Sequence, residues 1–106
     1  MSKLIVHGGR PLSGTIRPVP NKNSIIKCIP AAVLTDEQVT LRNVPRTSDV
    51  MYMLQIWDEL GGSHEWISES EIILDPSTIN SYVISPELSE KMKASVMFAG
   101  PLLARF

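Results

Sequence analysis

The chain has 106 residues, 43% hydrophobic and 20% charged, with a formal net charge of −1. This balance is typical of globular domains and argues against global disorder, and the interspersed charges form no basic stripe for nucleic acid. No apolar run approaches the roughly 20 residues of a membrane span, and the N-terminal apolar stretch is too short for a signal peptide. Cys28 is the one cysteine, which excludes an internal disulfide and a thiolate zinc cluster. We therefore expect a cytoplasmic protein.

The first twenty residues predict two short strands and a linker. Residues 4–7 and 14–17 are strand-like and flank a Gly-Gly-Arg-Pro turn at residues 8–11. Two prolines in Pro18-Val19-Pro20 then predict an extended link, because each disfavours the α region in the residue before it.

Two amphipathic helices with a strand between them are predicted next. The first follows a cap at Asn21 or Asn23, and Pro30 should kink it because proline lacks the N–H that a helix interior needs. Residues 38–43 alternate polar and apolar side chains, as a half-buried strand does. The second helix begins at a Ser48-Asp49 cap, presents Met53 and Trp57 on a core-facing stripe, and stops at Gly61-Gly62.

The remaining residues predict three strands and a helix. The strands lie at residues 64–67, 71–75 and 82–84, and the helix runs from Leu88 to about Ala99, where Gly100-Pro101 should kink or break it. From residue 14 to residue 75 the order is β-α-β-α-β-β, after which a new β-α begins. A unit this small leaves a sheet face or helix stripe uncovered, so we expect further units to pack against it.

The last residues also favour a piece of a longer protein. Residues 102–106 are mainly apolar and carry no helix-stop signal, whereas a complete domain usually ends in polar, poorly ordered residues. Arg105, within this segment, should fray, and we assign it no ligand.

Several short motifs are individually weak but specific as an ordered set. They are Pro20-Asn21-Lys22-Asn23-Ser24, Leu41-Arg42-Asn43-Val44-Pro45 with Ser48-Asp49-Val50, Leu60-Gly61-Gly62, Lys93-Ala94-Ser95, and Gly100-Pro101-Leu102-Leu103-Ala104-Arg105-Phe106. Together they resemble the N-terminal quarter of the enolpyruvyl transferases, in the branch whose acceptor is UDP-N-acetylglucosamine. The shikimate-pathway branch typically has Lys-Ser where this chain has Lys22-Asn23.

The resemblance implies a two-domain protein of repeated βαβαββ units in an inside-out α/β barrel. This chain would be an incomplete domain: residues 1–20 would belong to the second domain, and residues 21–106 would form the first unit and the start of the next in the catalytic domain. The implied reaction moves the enolpyruvyl group of phosphoenolpyruvate to the 3-hydroxyl of UDP-N-acetylglucosamine in peptidoglycan synthesis, without metal or organic cofactor. The family's catalytic cysteine would lie beyond residue 106, so we assign no catalytic residue and expect no activity from this chain alone.

Three residues are candidate substrate ligands. Lys22 adds a formal charge to a helix start, where backbone donors and the dipole favour an anion, and by resemblance it would contact phosphoenolpyruvate. Asn23 can donate and accept at once, so it could bridge a sugar hydroxyl and the bound anion, or simply cap the helix. Lys93 stands where the family usually has arginine; it keeps the charge but cannot form a bidentate clamp, and a plain surface lysine is the alternative.

Other conspicuous side chains have structural explanations. Met97 falls where the family often has tryptophan and either shapes the substrate wall or packs in the core. Cys28 lies in an apolar helical run and should be a small buried residue. His7 and His64 lie far apart in strand patterns and lack further zinc ligands at suitable spacing.

Two other functions remain open. The chain could be a non-catalytic α/β interaction module, or part of an enolpyruvyl transferase for a different acceptor such as shikimate 3-phosphate. A fragment with missing neighbours should expose apolar helix faces and self-associate.

Overall fold

The computed structural model of the protein describes residues 2–106. Its first part, residues 2–20, is an arm without helix or strand in which every residue is exposed. The strands predicted at residues 4–7 and 14–17 are therefore wrong. A strand needs a neighbour to take its N–H and C=O groups, and these segments pair with nothing among the described residues. The arm helps to stretch the molecule to 57 × 29 × 20 Å.

Helix α1 spans Lys22–Ala31 and continues as a 3-10 helix over Ala32–Leu34. Asn21 caps α1, its side-chain oxygen accepting the Asn23 N–H at 2.8 Å. Pro30 lies in the last turn of α1, so its missing N–H coincides with the change to 3-10 geometry rather than with a mid-helix kink.

Helix α2 spans Ser48–Glu59, with Thr47 as the N-cap that accepts the Val50 N–H at 3.4 Å. The predicted Ser48-Asp49 cap is therefore one residue late, and Asp49 lies in the first turn. Met53 and Trp57 are fully buried, which confirms the predicted core stripe.

The sheet contains strands β1 (Val39–Leu41), β2 (Ser63–Trp66) and β3 (Ile72–Asp75), all antiparallel, in the order β1-β3-β2. These confirm the predicted strands to within about two residues. Ile73 pairs with both Thr40 and Glu65, and its neighbours Ile72 and Leu74 are fully buried on the other face. One face of the sheet therefore packs on the helices, as a period of two requires.

The C-terminal part is helical in three pieces: α3 (Pro86–Lys91), a 3-10 helix (Lys93–Phe98) and α4 (Ala99–Arg105). The predicted helix from Leu88 to Ala99 is thus interrupted at Met92, whose φ of −156° and ψ of 140° are extended. Pro101 does not break α4, because it lies in the first turn, where the N–H has no helical partner.

Two further predictions for this region are wrong. Residues 82–84 form no strand, and Tyr82 and Val83 remain exposed. Arg105 does not fray: its guanidinium donates to the Val33 and Thr35 carbonyls at 3.0 and 2.9 Å and ties α4 to the 3-10 helix after α1.

A single cluster of buried residues joins these elements into a mixed α/β unit. The cluster includes Ile29 of α1, Trp57 of α2, Leu74 of β3, Phe98 of the last 3-10 helix and Leu102 of α4. Within residues 2–106, no helix has both the length and the apolar character to cross a membrane.

Candidate functional site

The start of α1 places Lys22 and Asn23 at the junction between the arm and the folded unit. Pro20 and Asn21 lead into the helix, and Asn21 has an extended backbone with a φ of −74° and a ψ of 115°. The first-turn N–H groups of a helix have no intrahelical partners, and in α1 the Asn21 side chain accepts that of Asn23. The remaining first-turn donors and the positive end of the helix dipole would favour an anion here.

The Lys22 ammonium forms an ion pair with the Asp49 carboxylate. The side chain of Lys22 is 50% exposed and that of Asp49 is 29% exposed. An ammonium group has three N–H donors, and the single carboxylate oxygen contact leaves donors available to a ligand. Sequence reasoning treated Asp49 only as a cap and missed this pair, because residues 27 positions apart meet only through the packing of α1 on α2.

Asn23 is exposed in the first turn of α1. Its backbone N–H is taken by Asn21, which is therefore the capping residue, and the Asn23 amide is not needed as the cap. Its side chain remains on the surface beside Lys22 in sequence, with one acceptor and two donors to offer.

Lys93 begins the 3-10 helix that leads to α4, and it is exposed. This 3-10 helix packs against α1, so the elements that carry Lys22 and Lys93 are neighbours. Among residues 2–106, no hydrogen bond or ion pair links Lys93 to Lys22 or Asn23. Met97 on the same segment is 39% exposed and so is not a core residue, unlike Phe98 beside it.

Cys28 is exposed, so its predicted burial is wrong. The core-facing stripe of α1 consists of Ile25, Ile29 and Pro30, and it is too narrow to include Cys28.

His64 forms a contact with a carboxylate: its Nδ1 lies 2.8 Å from an oxygen of Asp58. Within residues 2–106, no three His, Cys, Asp or Glu side chains cluster in a way that could hold a metal ion.

Two family-type motifs have a role in the fold itself. Asn43 adopts a positive φ of 56° after β1 and turns the chain so that the Val44 N–H reaches the Ser70 carbonyl at 2.8 Å. Gly62 packs against Trp57: a Cβ there would lie 2.4 Å from the Trp57 Nε1. These residues position the helices rather than contact a ligand.

An apolar groove of about 690 Å³ opens on the C-terminal side of the unit. Its walls come from the loop before α3, the last 3-10 helix, α4 and the C-terminal residue. They include Tyr82, Ile84, Val96, Leu102, Leu103 and Phe106. Leu103 is 83% and Val96 69% exposed. The predicted exposure of apolar helix faces is therefore present.

Comparison with known proteins now decides the family. A family model described as EPSP synthase (3-phosphoshikimate 1-carboxyvinyltransferase) matches residues 6–106.

The chain belongs to this family of enolpyruvyl transferases.

Individual enolpyruvyl transferases match almost the whole chain. The UDP-N-acetylglucosamine 1-carboxyvinyltransferases of Treponema denticola and Treponema pallidum are 42% and 47% identical to it over 105 residues, or 99% of this chain. The enzyme of that name from Bradyrhizobium diazoefficiens is 42% identical over 101 residues. The chain spans about a quarter of the length of these relatives, with 25%, 25% and 23% of them covered. The family resemblance inferred from the ordered motifs is confirmed.

A solved enolpyruvyl transferase shares the fold. NikO from Streptomyces tendae superposes with a TM-score of 0.78 and 22% identity, covering 93% of this chain and 23% of that structure. The α/β fold class, as a fragment of the enolpyruvyl transferase fold, is thereby confirmed.

Proposed function

We propose that this chain is part of an enzyme that transfers the enolpyruvyl group of phosphoenolpyruvate to the 3-hydroxyl of UDP-N-acetylglucosamine in peptidoglycan synthesis. The observation that carries the proposal is its identity of 42% to 47%, over 99% of the chain, to two enzymes named for that acceptor. The relatives are about four times as long, so the chain would supply only part of the machinery.

Lys22 would bind the anionic donor. Its ammonium is half-exposed at the start of α1, where helix N–H groups and the dipole reinforce attraction for a phosphate or carboxylate. Its existing partner Asp49 is itself partly exposed, and such pairs contribute only about 0 to 1 kcal/mol. Phosphoenolpyruvate could therefore share the Lys22 ammonium with Asp49 at little cost.

Asn23 and Lys93 would contribute the remaining contacts from this chain. The exposed Asn23 amide can accept a hydrogen bond from a sugar hydroxyl while it donates to the bound anion. Lys93 lies on the 3-10 helix packed against α1, and it would add a second positive charge without the planar fork of an arginine.

The chain alone should not catalyse the transfer. Stabilising a transition state requires groups arranged around the reacting atoms from several directions. Three solvent-exposed polar residues on one small unit provide a partial binding surface. We assign the catalytic groups to polypeptide outside residues 1–106, and we expect the complete enzyme to work in the cytoplasm without metal or organic cofactor.

The separation of the arm from the folded unit supports the proposed division at residue 20. All of residues 2–20 are exposed, and the total accessible surface of 7709 Å² exceeds the roughly 5,900 Å² usual for a folded monomer of 11.7 kDa. The excess of about 1,800 Å² on this one chain is roughly twice the 800 Å² or so that each partner buries in a standard protein–protein interface. We therefore propose that the arm packs on a second domain of the complete protein, and that the isolated chain self-associates; sedimentation of a monodisperse monomer would contradict the latter.

The acceptor is tested with the complete gene product. Phosphate release from phosphoenolpyruvate is measured with UDP-N-acetylglucosamine and, in parallel, with shikimate 3-phosphate, the acceptor named in the description of the matching family model. We expect release only with the UDP-sugar. Release only with shikimate 3-phosphate would replace the acceptor, and no release with either would overturn the proposed function.

A further inference from the structure

We propose that Asp49 is a positioning residue that holds the Lys22 ammonium where the anionic donor substrate binds. The role deepens the proposed function and rests on it. Asp49 is the only carboxylate paired with Lys22 among the described residues. The proposal concerns how the complete enzyme recognises phosphoenolpyruvate, and Asp49 is not itself a substrate contact.

Both members of the pair stand on firmly packed supports. Lys22 is the first residue of α1, and Asp49 lies in the first turn of α2. The two helices contact each other and bury Ile25, Ile29 and Val50 in one core cluster. The start of each helix is therefore fixed relative to the other, which distinguishes this pair from a contact between two mobile surface side chains.

The helix dipole acts in opposite directions on the charges of Asp49 and Lys22. An acidic group in a first turn is favoured by the helix dipole, whereas a lysine at a helix start is opposed by it. Asp49 compensates Lys22 at the place where the dipole alone would push the ammonium away. Without Asp49, the long lysine side chain would be free to extend into solvent, and a ligand would have to immobilise it again.

The pair leaves room for a ligand. Only one oxygen of Asp49 contacts the ammonium, and the Lys22 side chain keeps half of its surface exposed. The ammonium can thus donate to Asp49 and to a substrate oxygen together. A carboxylate also repels an anion, so a net repulsive effect of Asp49 would make its removal raise the affinity for phosphoenolpyruvate, whereas a positioning effect makes its removal lower that affinity.

The test uses the complete gene product and a double-mutant cycle. KM for phosphoenolpyruvate and kcat are measured for wild type, Asp49→Ala, Lys22→Ala and the double variant at saturating acceptor. We expect Asp49→Ala to raise KM for phosphoenolpyruvate about three- to tenfold with a smaller change in kcat. In the Lys22→Ala background the same change should have no further effect, because no ammonium remains to be positioned.

Two further variants keep the test decisive. Asp49→Asn preserves the shape and one acceptor oxygen, so we expect an intermediate KM, and it replaces Asp49→Ala should that variant fail to fold. Glu87→Gln is the matched control: Glu87 is also a first-turn acid near a lysine, 3.9 Å from Lys91 in α3, and its change should leave KM unaltered.

Each possible result decides a different claim. Additive effects of the two single changes, or a KM that stays constant or falls in Asp49→Ala while wild type is active, would overturn the positioning role alone. An active wild type whose KM is also unchanged in Lys22→Ala would overturn the assignment of Lys22 together with that of Asp49. No transfer by wild type with either acceptor would overturn the proposed function and this role with it.

Discussion

Replacing Gly62 with alanine isolates one packing contact on which the fold depends. A Cβ at residue 62 would lie 2.4 Å from the Trp57 Nε1 and 2.6 Å from its Cε2, closer than the 3.0 Å below which real Cβ contacts are essentially absent. To reach an ordinary contact of 3.4 Å the ring would have to retreat by roughly 1 Å. Trp57 is fully buried, so it has no free space for that retreat.

The size of the effect follows from two losses. Overpacking a filled core costs about 1 to 3 kcal/mol. Moving the indole also weakens its N–H bond to the Ser63 carbonyl, now 2.9 Å, and a buried donor left without a partner costs a further 1 to 3 kcal/mol or so. We therefore expect Gly62→Ala to lower the free energy of unfolding by about 2 to 6 kcal/mol, against a typical total of about 5 to 15 kcal/mol.

Urea unfolding followed by far-ultraviolet circular dichroism measures this change as a lower midpoint. Gly100→Ala is the control, because a Cβ there meets nothing within 4 Å, and alanine in a helix should be neutral or stabilise by up to about 1 kcal/mol. Gly61 is a poorer probe, since its φ of 102° would add backbone strain to the clash. A midpoint for Gly62→Ala within error of wild type would refute the reasoning.

Three other changes test separate features. Lys22→Ala should raise KM for phosphoenolpyruvate in the complete protein about tenfold or more yet alter stability by under about 1 kcal/mol; unchanged kinetics would refute its role. Hydrogen bonds from the Ser77 hydroxyl and Gln38 lower the pKa of Asp75 below 3.8, so their stabilisation is present above that pH and is lost as pH falls through the folded pKa. The stability deficit of Ser77→Ala should therefore shrink in urea unfolding at about pH 3, and a constant deficit would contradict this. Exposed Cys28 should react with a maleimide in the folded chain nearly as fast as in the unfolded chain, and protection would contradict its exposure.

Local signals were sufficient to predict α2. A polar cap, an apolar stripe through Met53 and Trp57, and the following Gly61-Gly62 all act within a few residues of one another. The sequence therefore located both ends to within a residue or two. Strands β2 and β3 could likewise be recognised from their residue pattern, which is a local signal, without knowing the register in which they pair.

Several predictions were wrong because their outcome depends on distant parts of the chain. Residues 4–7 and 82–84 have strand-like side chains, but a strand exists only where another strand accepts its hydrogen bonds. The burial of Cys28 was predicted from an apolar run, and only the width of the face that α1 packs into the core shows that it is exposed.

The site was accessible from the sequence only in part. Lys22 was singled out mainly by the family resemblance, and a charge at a helix start added a local argument for it. Its pairing with Asp49 depends on how α1 packs against α2, which neither segment reveals alone. The neighbouring positions of α1 and the segment carrying Lys93 likewise come from tertiary packing.

A crystal structure of the complete gene product with phosphoenolpyruvate and UDP-N-acetylglucosamine tests the central claim most directly. We predict that an oxygen of the donor substrate lies within hydrogen-bonding distance of the Lys22 Nζ, with the ammonium still in contact with Asp49. Both substrates bound at a site remote from the start of α1 would contradict the account.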